Sequence, residues 1–474
     1  MKIPARQSML FALLLLLPLP LMAQDLLIQN GTVVTAEASF EADLLVQDGV
    51  ITAIGQDLSA PATTRRVDAS GLLVMPGGVD PHVHLGGNWV DDYRTGSMAA
   101  LAGGITTISN FRSAGQGVDI VEMIEREATV IAQQAIADVI LHTTISNAEN
   151  AVAQMEALAA TGQTSIKIFM NFPQFDPNVS TYVEVIEAAG NAGILTMVHA
   201  EDLSIIDHQA RVLEAAGQTS INYLSDSRPT LAEETAMLRA VAIAEQTGSP
   251  MYAVHVSSAR ALNAAQQARL RGLDFFIETR PIYLHLTRER FASADAGLYV
   301  GQPPLRELSD QDALWQGLSN GTIVVVGTDH VAYSREDKLD PAQTIRIHRA
   351  GMNHLQMMRP LLFSDGVLKN RITLQQFVAV TATNPAKLFG LFPRKGTVAV
   401  GSDADLVLWD ADATRTVRDQ DMFSATGFTI YDGWEVTGWP VVTVRRGEIV
   451  FEDNEIRGAP GSGLLIPRDR WQPR

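Results

Sequence analysis

The 474-residue chain contains no cysteine. That excludes disulfides, thiolate metal ligands, a cysteine nucleophile and the lipidation site of a lipoprotein. Positive charge is also scarce. Thirty-six Lys and Arg face 53 Asp and Glu, for a formal net charge of −17. Such a chain repels phosphate backbones and anionic lipid, which argues against nucleic acid and membrane surfaces as partners. Beyond the N-terminus there is no apolar run of the roughly 20 residues that a membrane span needs. Hydrophobic content is an ordinary 46%, and the length suits an α/β barrel with an accessory domain.

The N-terminus is the one apolar stretch, and it has the layout of a secretory signal peptide. Lys2 and Arg6 precede an apolar segment, residues 9–22, broken by Pro18 and Pro20. Leu21-Met22-Ala23 resembles a cleavage site, so the mature chain is expected to begin at Gln24 and to be secreted into the periplasm. An uncleaved anchor is the alternative, but the segment is short for a span. A cysteine-free chain suits that oxidising compartment.

From residue 25 to 75 the pattern is short and β-like, with Asn30-Gly31 and Asp48-Gly49 as hairpin dipeptides. A similar pattern returns at 404–411 and 441–456. Between them strands alternate with helical stretches, the signature of βαβ units. Eight strand candidates can be counted, at 72–76, 106–110, 138–142, 165–169, 194–199, 251–255, 275–278 and 322–327. Eight strands close a (β/α)8 barrel of the TIM type. The expected organisation is therefore α/β: a signal peptide at 1–23, a barrel at 76–395, and a small β-sandwich built from 24–75 and 396–474.

Five of these strands end in residues able to bind metal: His82 and His84, Lys167, His199, His255 and Asp329. Such a fold keeps its active site at the C-terminal ends of its strands. His82 and His84 are two apart, so in an extended segment both rings face the same way. Asp80 is placed to orient one of them. Lys167 is unusual, because an ammonium is a poor ligand. Burial lowers a lysine's pKa, and the free amine can then add carbon dioxide to form a carbamate whose two oxygens bridge two metals. A lysine that snorkels at the strand end is the plainer reading. His199 and His255 suit a second metal as neutral imidazoles.

In this scheme two divalent ions acidify a bridging water, the hydroxide attacks a carbonyl, and Asp329 carries the proton to the leaving nitrogen. N/O ligation favours zinc, with manganese and cobalt as alternatives. His142, at the end of the third strand, either contacts substrate or satisfies a neighbouring carbonyl. His330 is expected to point away from the site. His208, His285, His348 and His354 show no usable pattern.

With these residues placed, the chain resembles the cyclic amidohydrolases of the hydantoinase/dihydropyrimidinase family over nearly all of its mature length. The stretches that carry the resemblance include SIKIFM, VHAED, SRPTLAEETA, AVHVSS, ETRPIYLHLT, PPLR, GTDH and NPAKLFGLFPRKGTVAVGSDADLVLWD. The resemblance implies a barrel with a β-sandwich, two zinc ions, a carboxylated lysine at Lys167, the six metal ligands named above, and a homotetramer. Three positions depart from the family pattern. Phe172 replaces a tyrosine whose hydroxyl binds the carbonyl oxygen, and a lost oxyanion donor typically costs on the order of 10²–10³ in rate. Gln302 replaces a serine before PPLR. Ala350-Gly351-Met352-Asn353-His354 replaces an Asn-Gly-x-Pro-Gly stretch whose backbone grips the ring. His142 and Arg280 are the candidates to replace the missing donor.

The sequence thus points to a binuclear metal hydrolase of a non-peptide C–N bond, in a cyclic amide, imide or ureide. Linear amides such as N-acyl amino acids or small dipeptides are the rival substrates. A non-catalytic scaffold with the same fold is the rival of a different class.

Overall fold

The structure is a computed structural model that describes residues 25–114 and 118–473. The signal peptide expected at 1–23 lies outside the described residues. No helix among those described is long and apolar enough to cross a membrane.

Eight parallel strands run in sequence order around a barrel: Gly78–Asp80, Ile105–Arg112, Asp138–Thr144, Ser165–Phe169, Leu195–His199, Met251–Ala253, Phe275–Thr279 and Val325–Val326. They are buried on both faces, as parallel strands sheathed by helices must be. Val79, Phe111, Ile140, Leu195, Met197, Tyr252, Phe276 and Val325 fill the interior, and Leu388, Phe389 and Ile466 pack beneath them. The eighth and first strands do not pair directly. Their continuations do, as a short parallel pair between His330–Val331 and Val83–His84. Asp80 supports the same seam, because its Oδ1 accepts from the backbone N–H groups of His82 (3.1 Å) and Thr328 (3.2 Å). The seam therefore closes at the mouth, where the candidate ligands sit.

Residues 72–76 are not the first barrel strand. Leu73–Pro76 pairs with Leu26–Val34 and with Leu406–Thr416 in a nine-stranded sheet built from both chain ends. The barrel begins at Gly78. The apolar run through VMPGGV is continuous, so periodicity does not show where one sheet hands over to the other. The nine-stranded sheet folds over one core drawn from both ends, including Ile28, Leu44, Val74, Leu406 and Val444. A bridge from Val50 to Asp403 closes it on itself. This gives the expected sandwich the form of one curled sheet.

A buried ionic cluster joins sheet and barrel. Lys395 Nζ lies 2.8 Å from Asp138 Oδ2, on the third barrel strand, and 2.5 Å from Asp405 Oδ2, beside the end sheet. Burial opposes the charge on Lys395, but the carboxylates outweigh it and raise the ammonium's pKa above its ordinary value. Removing one partner from such a cluster leaves buried charge unpaired. Lys395→Met is expected to cost about 3–5 kcal/mol in chemical denaturation; a loss under about 1 kcal/mol would show that the cluster is not a tie between the domains.

Candidate metal centre and active site

The six predicted ligand residues converge on one cavity at the C-terminal mouth of the barrel. Its volume is about 760 Å³, and His82, His84, His199, His255 and Asp329 line it. Lys167 is fully buried, with its amine against Phe111 and Phe169 of the cavity lining.

His82, His84 and Asp329 form the first half of the centre. Asp329 Oδ1 is 3.2 Å from His82 Nε2 and 3.1 Å from His84 Nε2. One ligand atom from each of the three falls within 4.8 Å of the others. Asp329 sits at φ +46° and His255 at φ +43°, a region uncommon for residues other than glycine. The chain turns sharply there, immediately beyond the strand ends. Burial alone would raise the Asp329 carboxyl, but Arg280 and His82 outweigh it and hold the pKa well below the usual range.

His199 and His255 form the second half, with ring centroids 4.5 Å apart and nearly perpendicular. His199 Nε2 is 2.7 Å from Glu201 Oε2, which leaves Nδ1 as the nitrogen free to ligate. Burial lowers the pKa of both rings, opposed at His199 by Glu201 and assisted at His255 by the charges of His199 and Lys167. Neutral imidazoles are the form that binds metal.

The charge of Lys167 acts on both halves, on His82 and His84 and on His199 and His255. Its Nζ has no hydrogen-bond partner and rests 5.3 Å from the ring of Phe111 and 5.0 Å from that of Phe169. Burial pulls its pKa down to about 7 against the attraction of Asp329 and Glu278. A substantial share of the amine is therefore uncharged near neutrality, the form that adds carbon dioxide. Lys167 Nζ and His255 Nδ1 are both buried and unpartnered, within a set of nitrogen and oxygen donors. These residues fit a divalent metal centre.

The outer partners were only partly anticipated. Asp80 does not orient a histidine ring as expected; it holds backbone. Glu278 does the orienting. Its Oε1 lies 2.7 Å from His82 Nδ1 and accepts from the His255 backbone N–H at 2.9 Å, while its Oε2 accepts from the Tyr252 hydroxyl at 2.8 Å. A Cβ on Gly327 would fall 2.7 Å from that same Oε2, so the eighth strand needs glycine there. Glu201 is the corresponding partner of His199, held in turn by Arg228 Nε at 3.0 Å. His-x-Glu at a strand end was the available signal, since residues two apart in a strand share a face. Glu278 gave no local signal.

The substrate-shell expectations divide. His142 lies against a neighbouring carbonyl and outside the cavity lining. It is fully buried, with Nε2 3.0 Å from the Pro81 carbonyl and Nδ1 2.5 Å from Ser165 Oγ. Arg280 lines the cavity, with its guanidinium turned toward Asp329. Nη1 lies 2.9 Å from Asp329 Oδ2, off the line of a hydrogen bond, and Nε donates to the Thr328 carbonyl at 3.3 Å. Phe172 is 36% exposed and stacks on Phe169 at 4.4 Å. Phe172, Gln302 and Ala350 all line the cavity, with Trp89, Tyr333 and His348, which carried no sequence pattern. His330 does turn away, to Asp91 Oδ2 at 2.9 Å.

Outer partners of ligating histidines typically govern metal affinity by 10–100-fold. Glu278→Ala is expected to weaken metal binding by about that factor in chelator competition, and unchanged affinity would contradict its orienting role.

Comparison with known proteins agrees with this geometry. Residues 73–450 match the Amidohydrolase family. The D-hydantoinase of Geobacillus stearothermophilus is 38% identical over 460 residues, 94% of this chain and 97% of that protein. A D-hydantoinase crystal structure superposes with a TM-score of 0.91 at 36% identity, covering 95% of this chain and all of the other. The L-hydantoinase (dihydropyrimidinase) of Arthrobacter aurescens gives 0.87 at 31%, covering 94% of this chain and all of the other. The chain belongs to the amidohydrolase family, within its hydantoinase/dihydropyrimidinase branch.

Proposed function

We propose that this protein is an exported, metal-dependent hydrolase that opens a cyclic amide, imide or ureide at its C–N bond. The observation that carries the reading is the unpartnered, buried Lys167 amine, whose charge acts on His82, His84 and Asp329 and also on His199 and His255. These six side chains would hold two divalent ions, zinc by donor type, with Lys167 as its carbamate. When bound, the ions would supply Lewis acidity that activates water and polarises a carbonyl.

The chain's own residues do the rest. Asp329 faces the cavity as a carboxylate and accepts the proton of the attacking water. Arg280 holds that carboxylate ionised, and Glu278 holds the His82 ring. When the C–N bond breaks, Asp329 returns the proton to the leaving nitrogen, so that one water is consumed and a ring-opened carboxylate is formed. Trp89, Phe111, Phe169 and Phe172 give the cavity an aromatic wall that sets the bound ring apart from bulk water. That wall also includes a phenol, that of Tyr333.

Linear amides are a second reading, favoured by the roomy cavity and by the absence of a hydroxyl at Phe172. The N-terminal sequence supports export to the periplasm, and family resemblance supports a homotetramer.

Zinc-reconstituted protein in bicarbonate is expected to open hydantoins or dihydrouracil, and Lys167→Ala to lose both that activity and most of its metal. Hydrolysis of N-acyl amino acids alone would transfer the site to linear substrates. Asp329→Asn is expected to lower kcat by about 10²–10⁴; near-normal turnover would refute its proton-transfer role. Protein recovered from the periplasm is expected to begin at Gln24 by N-terminal sequencing, and an intact residue 1 would contradict cleavage.

A further inference from the structure

We propose that Gln302 and His348 form a fixed hydrogen-bond acceptor that selects rings carrying a free N–H, and rejects N-alkylated rings and lactones. The inference rests on the cyclic-amide reading above and names the feature of the ring that is recognised.

The argument begins at His348. Its Nδ1 lies 3.1 Å from the Thr344 carbonyl oxygen. A carbonyl only accepts, so Nδ1 carries the proton and Nε2 holds a lone pair. The atom 2.7 Å from that lone pair is Gln302 Nε2. The side-chain amide therefore donates to His348. The flipped amide, which density alone would not distinguish, would set two acceptors against each other at that distance. Burial, assisted by the nearby Arg228 charge, lowers the His348 pKa to about 4, so the ring stays neutral and the orientation holds at ordinary pH. With the NH₂ group turned to His348, Gln302 Oε1 is left as an acceptor. Both residues line the cavity, and the contact with His348 is the one side-chain hydrogen bond shown for Gln302 among the described residues.

The backbone on both sides is clamped. Lys338 is buried, and its Nζ donates to the carbonyls of Val300 (2.9 Å), Arg349 (2.7 Å) and Gly351 (2.7 Å). Val300 is two residues before Gln302, and Arg349 directly follows His348. Gln343 Oε1 also accepts from the Arg349 N–H at 2.7 Å. The acceptor is thus preset before substrate arrives, which saves the ordering cost of binding. A ring N–H directed at Oε1 completes the pair. An N-methyl group places carbon against oxygen and leaves the acceptor unpaired, and a ring oxygen sets lone pair against lone pair. A site built to pair a polar group discriminates against the analogue that lacks it.

The test compares a 5-substituted hydantoin with its N1-methyl and N3-methyl derivatives on the zinc-reconstituted enzyme. KM and kcat are measured, with calorimetric binding of the same compounds alongside. In the wild type, methylation of the recognised nitrogen is expected to raise KM about tenfold or more, the scale of a lost hydrogen bond. Gln302→Met is expected to raise KM for the parent ring about tenfold, leave that of the methylated ring unchanged, and change kcat little. The methyl-to-parent ratio then falls toward one. His348→Phe keeps Gln302 but frees its amide, and is expected to lower the ratio part of the way. A wild type that ignores both methyl groups, or a ratio unaltered in both folded variants, overturns the inference and leaves the cyclic-amide reading intact. A wild type that neither binds nor opens any of these rings overturns both.

Discussion

An amine without a hydrogen-bond partner, fully buried at the mouth of the barrel, is the constraint on which the rest of the site depends. Burying an isolated ammonium is costly, and proteins avoid the cost by neutralising the group or pairing it. Two carboxylates, Asp329 and Glu278, pull the Lys167 pKa upward, yet burial prevails and leaves it at about 7. Each carboxylate also has a closer commitment, Asp329 to the histidines and Arg280, Glu278 to His82, His255 and Tyr252. The lysine is thus held beside charge without being bound by it. A buried amine that is partly uncharged near neutrality follows from that imbalance.

The scaffold serves this arrangement from several directions. The barrel seam closes at the level of the ligands, through the paired continuations of the first and eighth strands and through Asp80. His82, His84 and Asp329 therefore sit on segments braced against one another. Glu278 links the first, sixth and seventh strands through a single carboxylate. Below the barrel, Lys395 ties the third strand to the sheet made from the chain ends. Strand ends carry the candidate ligands, and segments following the first, fourth, seventh and eighth strands carry Trp89, Phe172, Gln302, Tyr333 and His348 of the cavity lining. In the sequence the candidate ligands keep the family's types, whereas Phe172, Gln302 and the 350–354 stretch depart from them.

Much of this was legible in the chain. The six candidate ligands could be picked out because each follows an apolar strand, and strand ends are marked by composition. Ser165–Phe169 is where the pattern placed it. The first barrel strand was misplaced by a few residues, because two buried strands in succession give one apolar run. Glu278 was hidden because it acts on His82, 196 residues away in sequence. The His348–Gln302 pair was hidden for the same reason, since neither residue has a periodic signature and their meeting depends on two loops. His142 shows the converse: a histidine at the right end of a barrel strand, facing the Pro81 carbonyl rather than the cavity. Strand registers follow from local pattern, whereas partners across the mouth follow from tertiary packing.

The most direct test is a crystal structure of the zinc-reconstituted protein grown in bicarbonate, with anomalous data collected at the zinc edge. The account predicts two anomalous peaks, one within ligand distance of His82, His84 and Asp329 and the other of His199 and His255, with carboxylate density continuous from Lys167 Nζ to both. A single peak with an unmodified lysine, or metal bound elsewhere, would contradict it.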